Sequence, residues 1–314
     1  MHWYRYSDVR IASNVAIPFL PTPPDREFLP TDISLHVALA PSSILRKIER
    51  QKTPQLPVVT RGEDGHWLQV SPDTIFFINE SLDEVKAYWI RSGNASDAVR
   101  IFVDHVMPRI LAKRGRTIVH ASCVAYDGLG ILFLGESGRG KSTLALAHCH
   151  YMGAELVADD CVELVFDNEG MFAVPTYRAH RVWPDSGTIL DGDYVSRTID
   201  EGNGSKLKIL PLAHSAERFQ VKAVCFIGIP SDQIALSHTK RIVGVLDMMK
   251  QRFSFSSNLS RSELETSMDD AERIFQYVPC LTLSYPRDYR RLGAAVRASK
   301  QLLGSSLERL PSVA

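Results

Sequence analysis

The sequence predicts an α/β protein in two parts: a small β-rich N-terminal region over residues 1–93 and an α/β domain over residues 94–314. Three observations predict it. Short alternating runs crowd a proline-dense opening stretch. A helical period begins at Asn94. Beyond it, strand-like runs alternate with helical ones, the pattern of an α/β domain.

The opening stretch contains FLPTPPDREFLP and then KTPQLP. Prolines at this density oppose long helices, because each removes a backbone donor and fixes φ. Between them DISLHVAL alternates as a half-buried strand does, and GHWLQV and TIFFIN follow as strands separated by the turn residues SPD. From Asn94 to Arg114 the period changes. Ala98, Ile101, Phe102, His105, Val106, Ile110 and Leu111 recur at helical spacing. Asn94 or Ser96 caps the start, Gly115 ends the helix, and Pro108 is expected to kink or divide it. TIVHASCVAYDGLGILFLG then sets two apolar runs around Asp127-Gly128, a strong hairpin dipeptide. The second run leads into GESGRGKST. A helix is expected over 144–151, strands at AELVADD, CVELVF, KAVCFIGI and PCLTLSY, and a closing helix over 289–303.

Bulk properties exclude several classes. Basic and acidic side chains balance at 36 each, so no global field favours nucleic acid or an anionic membrane. The 45% hydrophobic content supports a substantial core. The five cysteines are scattered without C-x-x-C spacing, which argues against a disulfide framework or a zinc site and for buried thiols in a reducing cytoplasm. The start, MHWYRYSDVR, is polar where a signal peptide is apolar, and the longest apolar runs are strand-sized. A soluble, cytoplasmic protein is expected.

Gly135-Glu136-Ser137-Gly138-Arg139-Gly140-Lys141-Ser142 fits G-x-x-x-x-G-K-[ST] at every fixed position, after an expected strand and before an expected helix. Glycines let successive backbone N–H groups turn inward onto phosphate oxygens, and the helix adds its positive end. Lys141 sets a cation on the β- and γ-phosphates. Ser142 offers a hydroxyl to magnesium, and Thr143 is the neighbouring hydroxyl. About twenty residues on, Asp159 and Asp160 stand at a strand end. One can hold metal while the other accepts a proton from an acceptor hydroxyl. An aspartate pair also suits a plain strand-terminating turn. His120 lies in the first arm of the hairpin, where its imidazole can reach the phosphates, although by spacing alone a lone strand histidine reads rather as structural. Arg178 and Arg181 flank His180 and can neutralise charge on a transferring group, or sit in a solvated loop. Lys206 and Lys208 follow the flexible Gly202 and Gly204 and can close over phosphates as a lid, or be solvated. Arg287 and Arg290 read as surface charges and Trp183 as packing.

As an ordered set, His120-Ala121-Ser122, Asp127-Gly128-Leu129-Gly130, GESGRGKST and Ala158-Asp159-Asp160 closely resemble the catalytic core of the bacterial HPr kinase/phosphorylase family, over roughly residues 117–165. The resemblance implies a P-loop kinase domain of the kind related to phosphoenolpyruvate carboxykinases. It implies Mg2+-dependent transfer from ATP to a serine hydroxyl of a protein or peptide. Residue by residue, it implies that His120, Asp159 and Asp160 lie beside the transferring phosphate, with Asp160 as the base and Asp159 the close alternative. It also favours a homo-oligomer. The chain departs from the family in lacking an E-x-R-G-x-G segment after the aspartates, where PTYRAHRVWPDS stands instead. In this it looks like the HPr-kinase-related proteins found beside peptide-maturation genes, some of which phosphorylate the C-terminal serine of lasso-peptide precursors. Two other readings compete: a P-loop kinase of a small hydroxylated metabolite, and a nucleotide-dependent regulatory module without transfer chemistry.

Overall fold

The computed structural model describes residues 1–23, 30–49, 56–90, 93–187, 195–200, 206–211, 218–255 and 259–304. The chain is a mixed α/β protein with several sheets and forms two compact units. Residues Met1–Gly115 with Phe253–Ser260 make the first, and Arg116–Arg252 with Arg261–Ala314 make the second.

The first unit is built on a sheet of seven strands among the described residues. In chain order these are β1 (His2–Tyr6), β2 (Val9–Ser13), β3 (Ile33–Leu39), β4 (Val58–Arg61), β5 (Gly65–Ser71), β6 (Thr74–Asn79) and β7 (Glu84–Trp89). Their spatial order is β1-β2-β3-β7-β6-β5-β4. The alternation read from DISLHVAL sets Ile33, Leu35 and Val37 of β3 inward, with Ser34 and His36 exposed. Helix α1 (Ser42–Glu49) follows β3. The helical stretch also lies in this unit, as α2 (Ala95–Ile101) and α3 (Met107–Lys113). The Asn94 side chain caps α2 by accepting from the Asp97 N–H at 2.9 Å. Pro108 occupies the first turn of α3, where its missing donor is tolerated, and the wide π-turn Phe102–Val106 takes up the break before it. Gly115 closes the stretch with φ +85°.

The second unit carries β8 (Thr117–Val119), β9 (Ser122–Tyr126), β10 (Leu129–Leu134), α4 (Lys141–Met152), β11 (Glu155–Ala158), β12 (Val162–Asp167) and β13 (Gly170–Pro175). Then come β14 (His180–Val182), α5 (Pro184–Gly187), β15 (Val195–Asp200), β16 (Leu207–Pro211), β17 (Phe219–Ile227) and β18 (Ala235–His238). The unit ends with α6 (Arg241–Lys250), α7 (Arg261–Tyr277), β19 (Cys280–Ser284) and α8 (Tyr289–Lys300). The main sheet runs β11-β9-β10-β17-β13-β12-β8, with β19 pairing β17 and β18. A small sheet, β14-β16-β15, stands apart.

Period-2 alternation explains why β10 is buried on both faces. Ile131 and Phe133 join a core with Leu144 and Ala145 of α4 and Leu292 and Val296 of α8. Leu132 and Leu134 join another with Val245 and Met248 of α6 and Ala271 and Ile274 of α7. The β9–β10 hairpin turns at Asp127 (φ +50°) and Gly128 (φ +82°), both left-handed as its turn type requires. All five cysteines are buried. No helix among the described residues is long and apolar enough to cross a membrane.

Candidate active site

Topology brings distant residues to one sheet edge. Strand β9 runs antiparallel to both β10 and β11, so β10 and β11 run the same way and end together. The glycine-rich loop leaves β10 there, Asp159-Asp160 leave β11 there, and β9 begins there at Ser122. His120 sits in the two-residue link between β8 and β9, rather than in the hairpin arm itself. Thr176 Oγ1 donates to the Cys161 carbonyl at 2.6 Å, tying the end of the β12–β13 pair to the same edge. From there the chain runs into β14 and Arg181.

Three loop glycines have positive φ: Gly135 at +145°, Gly138 at +77° and Gly140 at +100°. A Cβ on Gly140 would also lie 2.9 Å from Tyr285 Oη, so a side chain there would displace that ring. Glu136 and Arg139 pair across the loop at 2.8 Å, and Ser137 is exposed. Lys141, the first residue of α4, is buried and donates from Nζ to the Gly135 carbonyl at 2.7 Å. Burial pulls its ammonium pKa below the ordinary value, opposed by the charges of Asp160 and Asp159. Arg287, expected to be a plain surface charge, donates from Nη2 to the Gly138 carbonyl at 2.9 Å and braces the loop. Arg290 is exposed beside Asp288.

Asp159 is fully buried and densely held. Its Oδ1 accepts from Ser122 Oγ and, at 3.0 Å, from the Asp160 N–H. Its Oδ2 accepts from the Arg181 N–H at 2.9 Å, and the nearby Ser142 hydroxyl works to lower its pKa. Burial, with the neighbouring Asp160 charge, still pushes its pKa up. Asp160 is left-handed, with φ +62°. Its Oδ2 lies 3.3 Å from Arg181 Nη1, and its carbonyl lies 2.8 Å from His120 Nδ1. Burial lowers the His120 pKa, as does the Lys141 charge, while Asp160 opposes both.

The remaining candidates divide. Arg181 is at the centre, touching both aspartates. Arg178 instead pairs with Glu155 at 3.1 Å and stacks over Phe219, so the structure does not bring it to the loop. Thr143 Oγ1 lies 3.1 Å from Ser186 Oγ, which lies 3.1 Å from Tyr289 Oη, a hydroxyl chain joining α4, α5 and α8. Lys208 is almost fully buried, its Nζ donating to Tyr177 Oη at 3.0 Å. Lys206 lies over the Trp183 ring at 5.8 Å, and Trp183 is 53% exposed where packing was expected. Gly202 and Gly204 lie outside the described residues. Ser122, Arg287 and Tyr285 carry no site role in the sequence, although each lies in a run with family-like pattern, Ser122 in His120-Ala121-Ser122 and the other two in LTLSYPR.

The donor set suits the groups that the loop implies. Magnesium binds hard oxygens and keeps few protein ligands when phosphates supply the rest. Ser142 and Asp159 offer a hydroxyl and a carboxylate close enough for the hydroxyl to lower the carboxyl pKa. Among the described residues no cluster of three or more His, Cys, Asp or Glu forms a metal cage.

No protein-family model matches the chain. HPr kinase/phosphorylase from Geobacillus kaustophilus (strain HTA426) is 32% identical over 141 residues, covering 44% of this chain and 42% of that protein. HPr kinase/phosphorylase from Polaromonas sp. (strain JS666 / ATCC BAA-500) is 32% identical over 132 residues, 41% of this chain and 38% of that protein. The chain thus spans about two fifths of the length of the curated relatives it matches. A solved Hpr(Ser) kinase/phosphatase from Coxiella burnetii matches at 15% identity with a TM-score of 0.32, covering 61% of this chain and 91% of that one. Part of this chain resembles the HPr kinase/phosphorylases in sequence.

Proposed function

We propose that the chain is a Mg-ATP-dependent kinase that transfers the γ-phosphoryl group to a serine hydroxyl of a peptide or small protein. The leading acceptor is the C-terminal serine of a lasso-peptide precursor. The observation that carries the reading is one juxtaposition. A glycine-rich loop with its lysine stands beside two aspartates in unlike surroundings, bridged by Arg181. The fold reading that goes with it is a P-loop domain of the phosphoenolpyruvate carboxykinase kind, supported by the hairpin that feeds the loop.

In this reading the loop N–H groups and Lys141 hold the β- and γ-phosphates. Ser142 and Asp159 would hold magnesium, which when bound would supply positive charge against the phosphates. Asp159 suits that part because its carboxylate is fixed by three donors. Asp160 accepts the proton of the serine hydroxyl as the serine oxygen bonds to the γ-phosphorus. The bond from that phosphorus to the β–γ bridging oxygen breaks, and ADP leaves. Arg181 and His120 steady the Asp160 side chain and backbone.

Labelled ATP incubated with synthetic peptides that end in serine tests this. Transfer to the terminal serine is expected. Asp160→Asn should lower kcat by ~10²–10⁴ with ATP binding retained, the usual scale for losing a general base. Transfer only to small hydroxylated metabolites, or ATP binding without any transfer, would sink the reading.

A further inference from the structure

We propose that Trp183 and Lys206 form a subsite for the acceptor peptide, the ammonium taking a terminal carboxylate and the indole packing on the residue before the serine. The proposal rests on the kinase reading above and adds to it the residues that choose the acceptor.

Strand register carries it. In the antiparallel pair β14–β16, His180 faces Ile209, Arg181 faces Lys208 and Val182 faces Leu207. One step further in the same register, Trp183 faces Lys206, and Lys206 Nζ lies 5.8 Å from the Trp183 ring centroid. Side chains alternate along a strand, so Arg181, Lys208, Trp183 and Lys206 share one face. Arg181 on that face reaches Asp160 at 3.3 Å, so the face looks onto the aspartates. His180 and Val182, on the opposite face, are buried, and Val182 packs with Leu146 of α4 and Ile209. The shared face thus leads outward from the proposed base to a half-exposed indole with a cation over it.

An exposed tryptophan beside a cation could instead stack a nucleotide base. Position argues against that. The base is separated from the transferring phosphorus by a ribose and two further phosphates. Lys206 stands opposite Trp183, two residues along from the Arg181–Lys208 pair, and Arg181 reaches Asp160, so it lies at the transferring end. A group there meets the acceptor, whose hydroxyl must come within about 3–3.5 Å of the phosphorus. Lysine supplies a point charge for a carboxylate, and tryptophan supplies large contact area at little entropic cost.

The test compares two synthetic decapeptides ending in serine, one with a free C-terminal carboxylate and one with a C-terminal amide. With the unaltered chain, the free acid should show a peptide KM about tenfold lower, the scale of one charge-assisted hydrogen bond. Lys206→Met should erase that preference. Trp183→Ala should raise KM for both peptides about tenfold and leave KM for ATP within about twofold. An acid-to-amide ratio that survives Lys206→Met overturns the proposal. So does a Trp183→Ala effect on KM for ATP alone. Calorimetric binding of the matched peptides with alanine in place of serine separates the two readings. Preferential binding of the acid without transfer keeps the subsite and removes the kinase reading. Efficient transfer to acid and amide alike keeps the kinase reading and removes the subsite. Neither binding nor transfer removes both.

Discussion

Two adjacent aspartates with the same chemistry are made unlike by their partners. Asp159 is buried and fixed by Ser122 and two backbone N–H groups, whereas Asp160 has left-handed backbone and a bond to Arg181. A carboxylate held by several donors suits a metal ligand, because its geometry persists without the metal. Ser122 is the donor whose removal tests this, being buried itself and 37 residues from Asp159 in sequence. Ser122→Ala removes one bond to a buried carboxylate, a loss of about 1.5–3 kcal/mol. The half-saturating Mg2+ concentration at fixed ATP should therefore rise about tenfold, the outer-shell scale, with Ser122→Thr restoring it. Mg2+ titration of the transfer rate checks the expectation. An unchanged Mg2+ dependence together with a lower melting temperature would reduce Ser122 to a packing role. This bond was not legible in the sequence, nor was the 149-residue reach of Arg287 to the Gly138 carbonyl, because neither is local. The loop itself was legible, because its glycines, lysine and serine are contiguous.

Elements were read best where a local rule decided them. Asp127-Gly128 reported the hairpin through the positive φ that the turn demands. Asn94 reported the start of α2 through its side-chain cap. Pro108 is expected to kink or divide the helix, and the stretch is divided: the π-turn Phe102–Val106 takes up the break and Pro108 lies in the first turn of α3, where its missing donor is tolerated. The sheet β14-β16-β15 escaped notice, since β14 has only three residues and its partners lie across a long stretch of sequence. Helices α6 and α7 also escaped, although Leu264, Met268, Ala271 and Phe275 recur at helical spacing. Their packing turns on one glycine. A Cβ on Gly244 of α6 would lie 2.2 Å from Cζ of Phe275, whose ring stands 6.5 Å from that of Phe226. Alanine is ordinarily preferred to glycine inside a helix by about 1 kcal/mol. Here overpacking at about 1–3 kcal/mol should outweigh that preference. Gly244→Ala is expected to destabilise by up to about 2 kcal/mol. Denaturant midpoints measure it, and a higher midpoint would mean that the two helices part freely.

Over the whole chain, charge balance leaves buried titratable groups to set the response to acid. Two buried histidines contribute to it. Burial lowers the pKa of His148, on α4, to about 3, with the Lys300 charge adding to the effect. Burial alone takes His180 of β14 to about 3. His148 Nδ1 lies 2.7 Å from Tyr126 Oη and its Nε2 lies 2.8 Å from Ser299 Oγ, contacts that neutral imidazole satisfies with one donor and one acceptor. Above the unfolded histidine pKa of 6.5 both states are neutral and neither histidine affects stability. Below it the unfolded chain takes up a proton that the folded chain refuses, so stability falls as pH drops from 6.5 towards 3. Each histidine contributes a slope of about 1.4 kcal/mol per pH unit through that window. Asp159 works in the opposite sense, because its raised pKa lets the folded state bind a proton first. His120, whose pKa burial also lowers, works with the pair, so a difference between variants is what isolates one group. His148→Gln keeps a polar side chain and removes the titration. Its stability, measured by denaturant unfolding between pH 6 and pH 4, should fall less steeply than that of the unaltered chain by about 1.4 kcal/mol per pH unit, whatever its offset at pH 7. Parallel slopes would mean that His148 takes up its proton inside the folded protein, and that the contacts with Tyr126 and Ser299 tolerate the imidazolium.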